Sequence, residues 1–149
     1  MTADSQRNPD VTGRAVQTPS IVGVHHVRLP VSDVERSREW YQDVFGFEPR
    51  LRLEEEDLLI GCVVAHRSGF TLGLHHAPTL AHALKGFCSI ALSVGFQTDL
   101  TLWCAHLDDL GVAHSSPTDG HLGWYVDVPD PDGLVVQLHT IEQPTSDEA

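Results

Sequence analysis

The stretch HHVRLPVSDVERSREWYQDVFGF, residues 25–47, decides the fold of this chain. Its order predicts a β-strand, a polar turn, an amphipathic helix and the beginning of a second strand. Further along, SIALSVGFQTDLTLWCAHLDDLGV, residues 89–112, repeats the same order. The repeat predicts two copies of one strand–helix–strands unit, a kind of unit that buries its apolar face against its copy.

The first copy has recognisable boundaries. β-branched residues predict a strand over residues 21–29, which Pro30 would end. Ser32 and Glu35 have the spacing of a capping box at a helix start, and Gly46 is typical of a helix end. Three further strands are predicted over residues 49–54, 58–66 and 70–75.

The second copy begins with a strand predicted over residues 89–94. Thr98 is expected to cap a helix, and the turn Asp130-Pro131-Asp132-Gly133 should join the last two strands. The short strands of this copy are predicted near residues 112–115, 122–128 and 134–140. The helix should turn four apolar residues inward: Leu100, Trp103, Leu107 and Leu110.

Composition restricts the partners. The net charge is −12, from 9 basic and 21 acidic residues, which disfavours nucleic acid and anionic membrane surfaces because both need a basic face. The N-terminus lacks an apolar signal core, and no run approaches the ~20 apolar residues of a membrane span. Cys62, Cys88 and Cys104 lie in apolar runs without CxxC spacing, which predicts buried free thiols. A cytoplasmic protein is therefore expected.

Together with DPDGLVVQL near the end, the two quoted stretches resemble the vicinal oxygen chelate superfamily of glyoxalases, bleomycin resistance proteins and extradiol dioxygenases. The resemblance spans nearly all of residues 21–141. It implies an α+β fold of two βαβββ modules whose curled mixed sheets enclose a cleft, usually completed in a homodimer. The chain would divide into a flexible tail (1–20), the first module (21–77), a linker (78–86), the second module (87–141) and an acidic tail (142–149).

Metal-dependent members of this superfamily take their ligands from four strand positions, which the resemblance places at His26, Gly73, Ser89 and Gln137. Gly73 has no side chain, Ser89 is a poor ligand, and Gln137 offers a neutral amide. Since a divalent site needs about three good protein ligands, the inherited metal site is interpreted as degenerate. Neither a metal nor another cofactor is expected.

Strand alternation still allows a metal site built from neighbouring residues on the same strand faces. His75 shares a strand face with position 73, and His139 shares one with Gln137. A displaced divalent metal would then use His26, His75, Gln137 and His139. Arg28 has the parity of His26 and is the basic residue expected to face the cleft, and Trp124 could stack on a ligand although core packing is the more frequent role of such a ring.

Two functions follow as hypotheses. The first is the binding of a small organic molecule without a metal, through His26, Arg28, His75, Ser89, Trp124, Gln137 and His139. The alternative is an enzyme of the glyoxalase or lyase type, with a rebuilt divalent site or with His26 as a catalytic general base. An extradiol dioxygenase is disfavoured, because its iron needs two His and a carboxylate.

Overall fold

The computed structural model describes residues 17–141. The elements are β1 (Val27–Val31), α1 (Val34–Phe45), β2 (Glu48–Glu55), β3 (Leu58–Ala65), β4 (Thr71–His76), α2 (Pro78–Ala83), β5 (Cys88–Val94), α3 (Gln97–Asp109), β6 (Thr118–Gly120), β7 (Gly123–Pro129) and β8 (Val135–Thr140). The predicted acidic tail, 142–149, and most of the predicted N-terminal tail lie outside the described residues.

The strands form two four-stranded sheets of the same topology, ordered β1-β4-β3-β2 and β5-β8-β7-β6. In each sheet the first strand of the module pairs in parallel with the last, and the remaining pairs are antiparallel. Each half of the chain is therefore a βαβββ module with a mixed sheet, and the predicted α+β fold of two such modules is confirmed.

The predicted first strand was wrong at both ends. β1 begins at Val27 and continues through Pro30 to Val31. Residues 21–26 are exposed, and the parallel pairing with β4 begins only at Val27. Pro30 is accommodated because β1 is an edge strand, where a missing backbone donor costs little.

The start of α1 also differs from the predicted capping box. Asp33 is the N-cap, and its carboxylate accepts from the backbone N–H of Arg36 at 3.0 Å. Glu35 instead accepts from Arg38 and Arg52, and the hydrogen bond from Arg38 is the main cause that lowers the pKa of Glu35. Gly46 ends the helix with a φ of +79°, as predicted.

Four expectations for the second module were wrong. The N-cap of α3 is Phe96 rather than Thr98, which lies inside the helix. The second strand of this module is not near 112–115 but is β6, while Ser115 only exchanges two hydrogen bonds with Asp127. Leu110 lies just past the end of α3 and is 46% exposed. Cys88 is exposed rather than buried, because it lies on edge strand β5.

Each sheet has a helix side and an opposite side, which we call the open face. Helix-side residues of both modules form one hydrophobic core. The modules meet across it: Phe45 and Trp103 have ring centroids 5.7 Å apart, and the Tyr41 hydroxyl donates to buried Asp130 at 3.0 Å. Burial raises the pKa of both Tyr41 and Asp130. The two helix sides thus pack towards each other.

Candidate functional site

The open face of the first sheet brings together three of the predicted positions. Arg28 pairs with Gly73 across β1 and β4. A Cβ atom at Gly73 would lie 3.4 Å from Cγ of Arg28 and 3.7 Å from Cδ2 of His26. The missing side chain therefore leaves space between an imidazole and a guanidinium stem, both of which are exposed.

The two remaining histidines near this face are also exposed. His75 lies on β4 opposite Pro30 of β1. The Nδ1 atoms of His25 and His26 are 2.8 Å apart, so one ring donates to the other. Strand alternation would point His25 away from His26, but both residues precede β1, where alternation does not apply.

The open face of the second sheet carries a polar row. The Nε2 atom of Gln137 donates to Asp127 at 3.0 Å. The His139 ring stacks on Tyr125 with a centroid distance of 6.1 Å and an interplanar angle of 17°, and its Nδ1 donates to the Thr140 carbonyl at 2.9 Å. This face offers amide, carboxylate, imidazole and phenol groups to a ligand.

Sequence reasoning missed Asp127 and Tyr125. Both alternate with the buried Val126 and Val128 along β7, and Asp127 lies directly opposite Gln137. The available signal was the DPDG turn, because a tight hairpin turn fixes which residues of the two strands face each other. Counting outward from that turn would have placed the carboxylate beside the amide.

Trp124 lies apart from these groups. It alternates with Tyr125 and packs, half-buried, against the helix-side core. Its backbone N–H donates to Thr140 Oγ1 at 3.0 Å. Its predicted role in stacking on a ligand remains a prediction, and the geometry described here gives it a packing role.

The four positions that the resemblance assigns to metal ligands do not fit a divalent cation. Ser89 donates its hydroxyl to the Val135 carbonyl at 3.3 Å, Gly73 has no donor atom, and the stem of cationic Arg28 lies beside it. Within residues 17–141, no three His, Cys, Asp or Glu side chains are grouped closely enough to hold a metal. No hydrogen bond or ion pair of this part of the chain joins His26 to Gln137.

A cavity of about 360 Å³ lies instead on the helix side, between the modules. We call it the inter-module cavity. Apolar and aromatic side chains line most of it, together with His66 and Ser68. None of the seven predicted ligand-binding residues lines this cavity: Trp124 packs elsewhere on the helix side, and the other strand residues among them project to the opposite side of each sheet.

Comparisons with a family model and with solved structures point to the same protein family. Residues 23–138 match the model of the glyoxalase/bleomycin resistance protein/dioxygenase superfamily. An antibiotic binding protein from Streptomyces sp. CB03234, TnmS3, is 26% identical, with a TM-score of 0.64 over 81% of this chain and 98% of its own. A glyoxalase/bleomycin resistance protein from the same strain is 28% identical, with a TM-score of 0.59 over 76% and 96%.

The fosfomycin resistance protein FosX from Listeria monocytogenes has the same fold at 18% identity, with a TM-score of 0.64 over 81% of this chain and 94% of its own. No curated protein matches the sequence. Among the helices of the described region, none is long and apolar enough to cross a membrane.

Proposed function

Because the chain belongs to the glyoxalase/bleomycin resistance protein/dioxygenase superfamily, we propose that it binds a small organic molecule without the metal that the resemblance implies. One observation carries this proposal: the four ligand positions present an imidazole, no side chain, a hydroxyl and an amide. Such groups fix the orientation of an organic ligand by hydrogen bonds, whereas a divalent cation needs charged or imidazole donors in larger number. The likeness to an antibiotic binding protein supports the same ligand class.

The binding cleft in this proposal lies between two chains. The helix sides of the two modules pack together, and within residues 17–141 no hydrogen bond links one open face to the other. Leu51 and Leu53 on the open face of the first sheet are 53% and 42% exposed. A second copy, contributing its Gln137 and Asp127, would cover these leucines and close the cleft as a homodimer.

Ligand binding is tested by thermal unfolding with bleomycin and, separately, with fosfomycin. A ligand at 100 times its Kd should stabilise the protein by about 2.7 kcal/mol, with or without EDTA. His26→Ala or Gln137→Ala should abolish the rise in Tm, while the control His121→Ala, at an exposed position, should not. A panel of organic antibiotics that never raises the Tm would contradict the proposal.

The enzyme alternative is tested by metal content after equilibration with Zn, Ni, Mn, Fe and Co and desalting. About one ion per chain that is lost with His26→Ala or His75→Ala would support a rebuilt divalent site and refute metal-free binding.

Sedimentation tests the cleft between chains. Leu53→Arg should give a monomer because it places a charge in the proposed interface, and Leu102→Arg on α3 should leave the dimer intact. A monomeric parent protein would refute that arrangement.

A further inference from the structure

The inter-module cavity has the lining of a ligand site, and it is separate from the cleft proposed above. Its floor is the helix-side row of β5, Ile90, Leu92 and Val94, all of which are only half-buried. Its opposite wall consists of aromatic side chains: Phe45, Phe47, Phe70 and Trp103. An apolar cavity of this kind favours an apolar or aromatic ring over water.

The size of the cavity limits the ligand. Its volume of about 360 Å³ lies at the lower end of the ~300–1,000 Å³ of ligand pockets. The aromatic wall is held by ring contacts, since Phe45 packs on Trp103 at 5.7 Å and Phe47 on His66 at 5.3 Å. A flat body of one or two fused rings suits such a cavity better than a large or highly polar molecule.

The mouth of the cavity is basic. An adjoining pocket of about 370 Å³ shares Phe45, His66 and Trp103 with the cavity and adds Arg50 and Arg67. Glu48 also lines this pocket and approaches Arg50 to 3.5 Å, so the charge of Arg50 is partly balanced. Arg67 is exposed and forms no ion pair within residues 17–141, which leaves its guanidinium available to an anion.

His66 adds a hydrogen-bond donor at the junction of the two pockets. Its Nδ1 accepts from the backbone N–H of Ser68 at 3.1 Å and lies 2.8 Å from the Ser68 hydroxyl. Because Nδ1 is used as an acceptor, the proton of the neutral ring is on Nε2. That N–H has no other described partner and can donate to a carboxylate oxygen.

This grouping of basic residues contrasts with the rest of the chain, whose net charge is −12. Arg36, Arg38 and Arg52 are each ion-paired with neighbouring carboxylates. We propose that the inter-module cavity binds an aromatic carboxylate, with its ring against Phe45 and Trp103 and its carboxylate at Arg67 and His66. Charge and shape complementarity together select this class over neutral aromatics.

The test uses 2-naphthoate and the uncharged 2-naphthalenemethanol as matched probes, titrated into the full chain by calorimetry. Ile90→Trp fills the cavity and should weaken naphthoate binding by at least about tenfold. Phe70→Trp, on the opposite wall, tests the same point if the first variant does not fold. Thr101→Trp places the same ring on the exposed side of α3 and should leave the Kd unchanged.

A second pair of variants tests the basic mouth. Arg67→Gln should weaken naphthoate by about three- to fivefold, the range of an exposed ion pair, and should change the Kd of the alcohol by less than about twofold. Arg52→Gln, on β2 away from the cavity, should change neither. Equal effects of Arg67→Gln on both probes would refute recognition of the carboxylate.

The outcome separates this site from the proposed cleft. Naphthoate binding that survives His26→Ala and is lost with Ile90→Trp supports the cavity, whatever the antibiotic titrations give. Binding that is lost with His26→Ala and insensitive to Ile90→Trp would assign the probe to the open faces and overturn this inference. The absence of naphthoate binding to the parent protein would overturn it as well.

Discussion

The first strands of the two modules, β1 and β5, occupy equivalent places but are covered unequally. Leu29 and Val31 of β1 are 1% and 0% exposed, whereas Leu92 and Val94 at the corresponding positions of β5 are only half-buried. α2 follows β4 and packs against β1. In the described part of the second module no helix follows β8. One unit used twice therefore gives a sealed core in one place and a cavity in the other.

The largest expected effect comes from truncating the equivalent leucines of the two strands. Leu29→Ala should cost about 2–5 kcal/mol of unfolding free energy, because it leaves a void in a closed core. Leu92→Ala should cost only about 1–2 kcal/mol, because its side chain already borders a cavity. Urea unfolding of both variants measures the difference. Equal losses would show that β5 is as well covered as β1.

A smaller effect is expected at the contact that fixes α1 to the second module. Tyr41→Phe leaves the buried Asp130 carboxylate without the donor that now lies 3.0 Å away, which should cost about 1–3 kcal/mol. Tyr125→Phe on the open face is the matched control and should change stability by less than about 0.5 kcal/mol. The urea midpoints of the two variants give the comparison. Indistinguishable midpoints would mean that the hydrogen bond does not couple the modules.

The smallest effect concerns the attachment of α3 within its own module. The pKa of His114 is raised above 6.5, first by its hydrogen bond to the Ser115 carbonyl and then by Asp108. The resulting stabilisation is complete below pH 6.5 and is lost as the pH rises through the raised pKa of the folded state. It should amount to a few tenths of a kcal/mol, because Asp108 is 71% exposed.

Unfolding at about pH 5.5 and about pH 8, on either side of the histidine titration, measures this contribution. His114→Asn should flatten that part of the pH dependence, and His121→Asn at an exposed position should leave it unchanged. An identical pH dependence in the parent protein and in His114→Asn would contradict the assignment.

Sequence reasoning reached the fold because the relevant signals are local. The helix of residues 34–45, the αL glycine at position 46 and the DPDG turn depend on neighbours within a few positions along the chain. Predicted boundaries were wrong where pairing between distant strands sets them: β1 starts at Val27, where its parallel pairing with β4 begins. The strand predicted near Val112 failed because residues 118–120, not 112–115, pair with β7.

The candidate site was predictable to a lesser degree. Side-chain alternation along a strand predicted that Arg28 shares a face with His26, and the space at Gly73, which the resemblance singled out, lies beside both side chains. The Asp127–Gln137 pair could have been read from the register of the hairpin that the DPDG turn closes, whereas the aromatic wall of the cavity depends on which residues of two distant modules meet. Such contacts between distant residues leave no periodic pattern in the sequence.

The sequence by itself determined the duplicated βαβββ unit, because local periodicity is enough for it, and it supplied the residue types at positions 73, 89 and 137, which only the resemblance assigns to metal ligands. Only the tertiary structure decided that the helix sides of the modules share one core and that β5 is left half-covered beside a basic mouth. Packing sets these features, since the depth to which Leu92 is buried depends on helices that lie elsewhere in the chain.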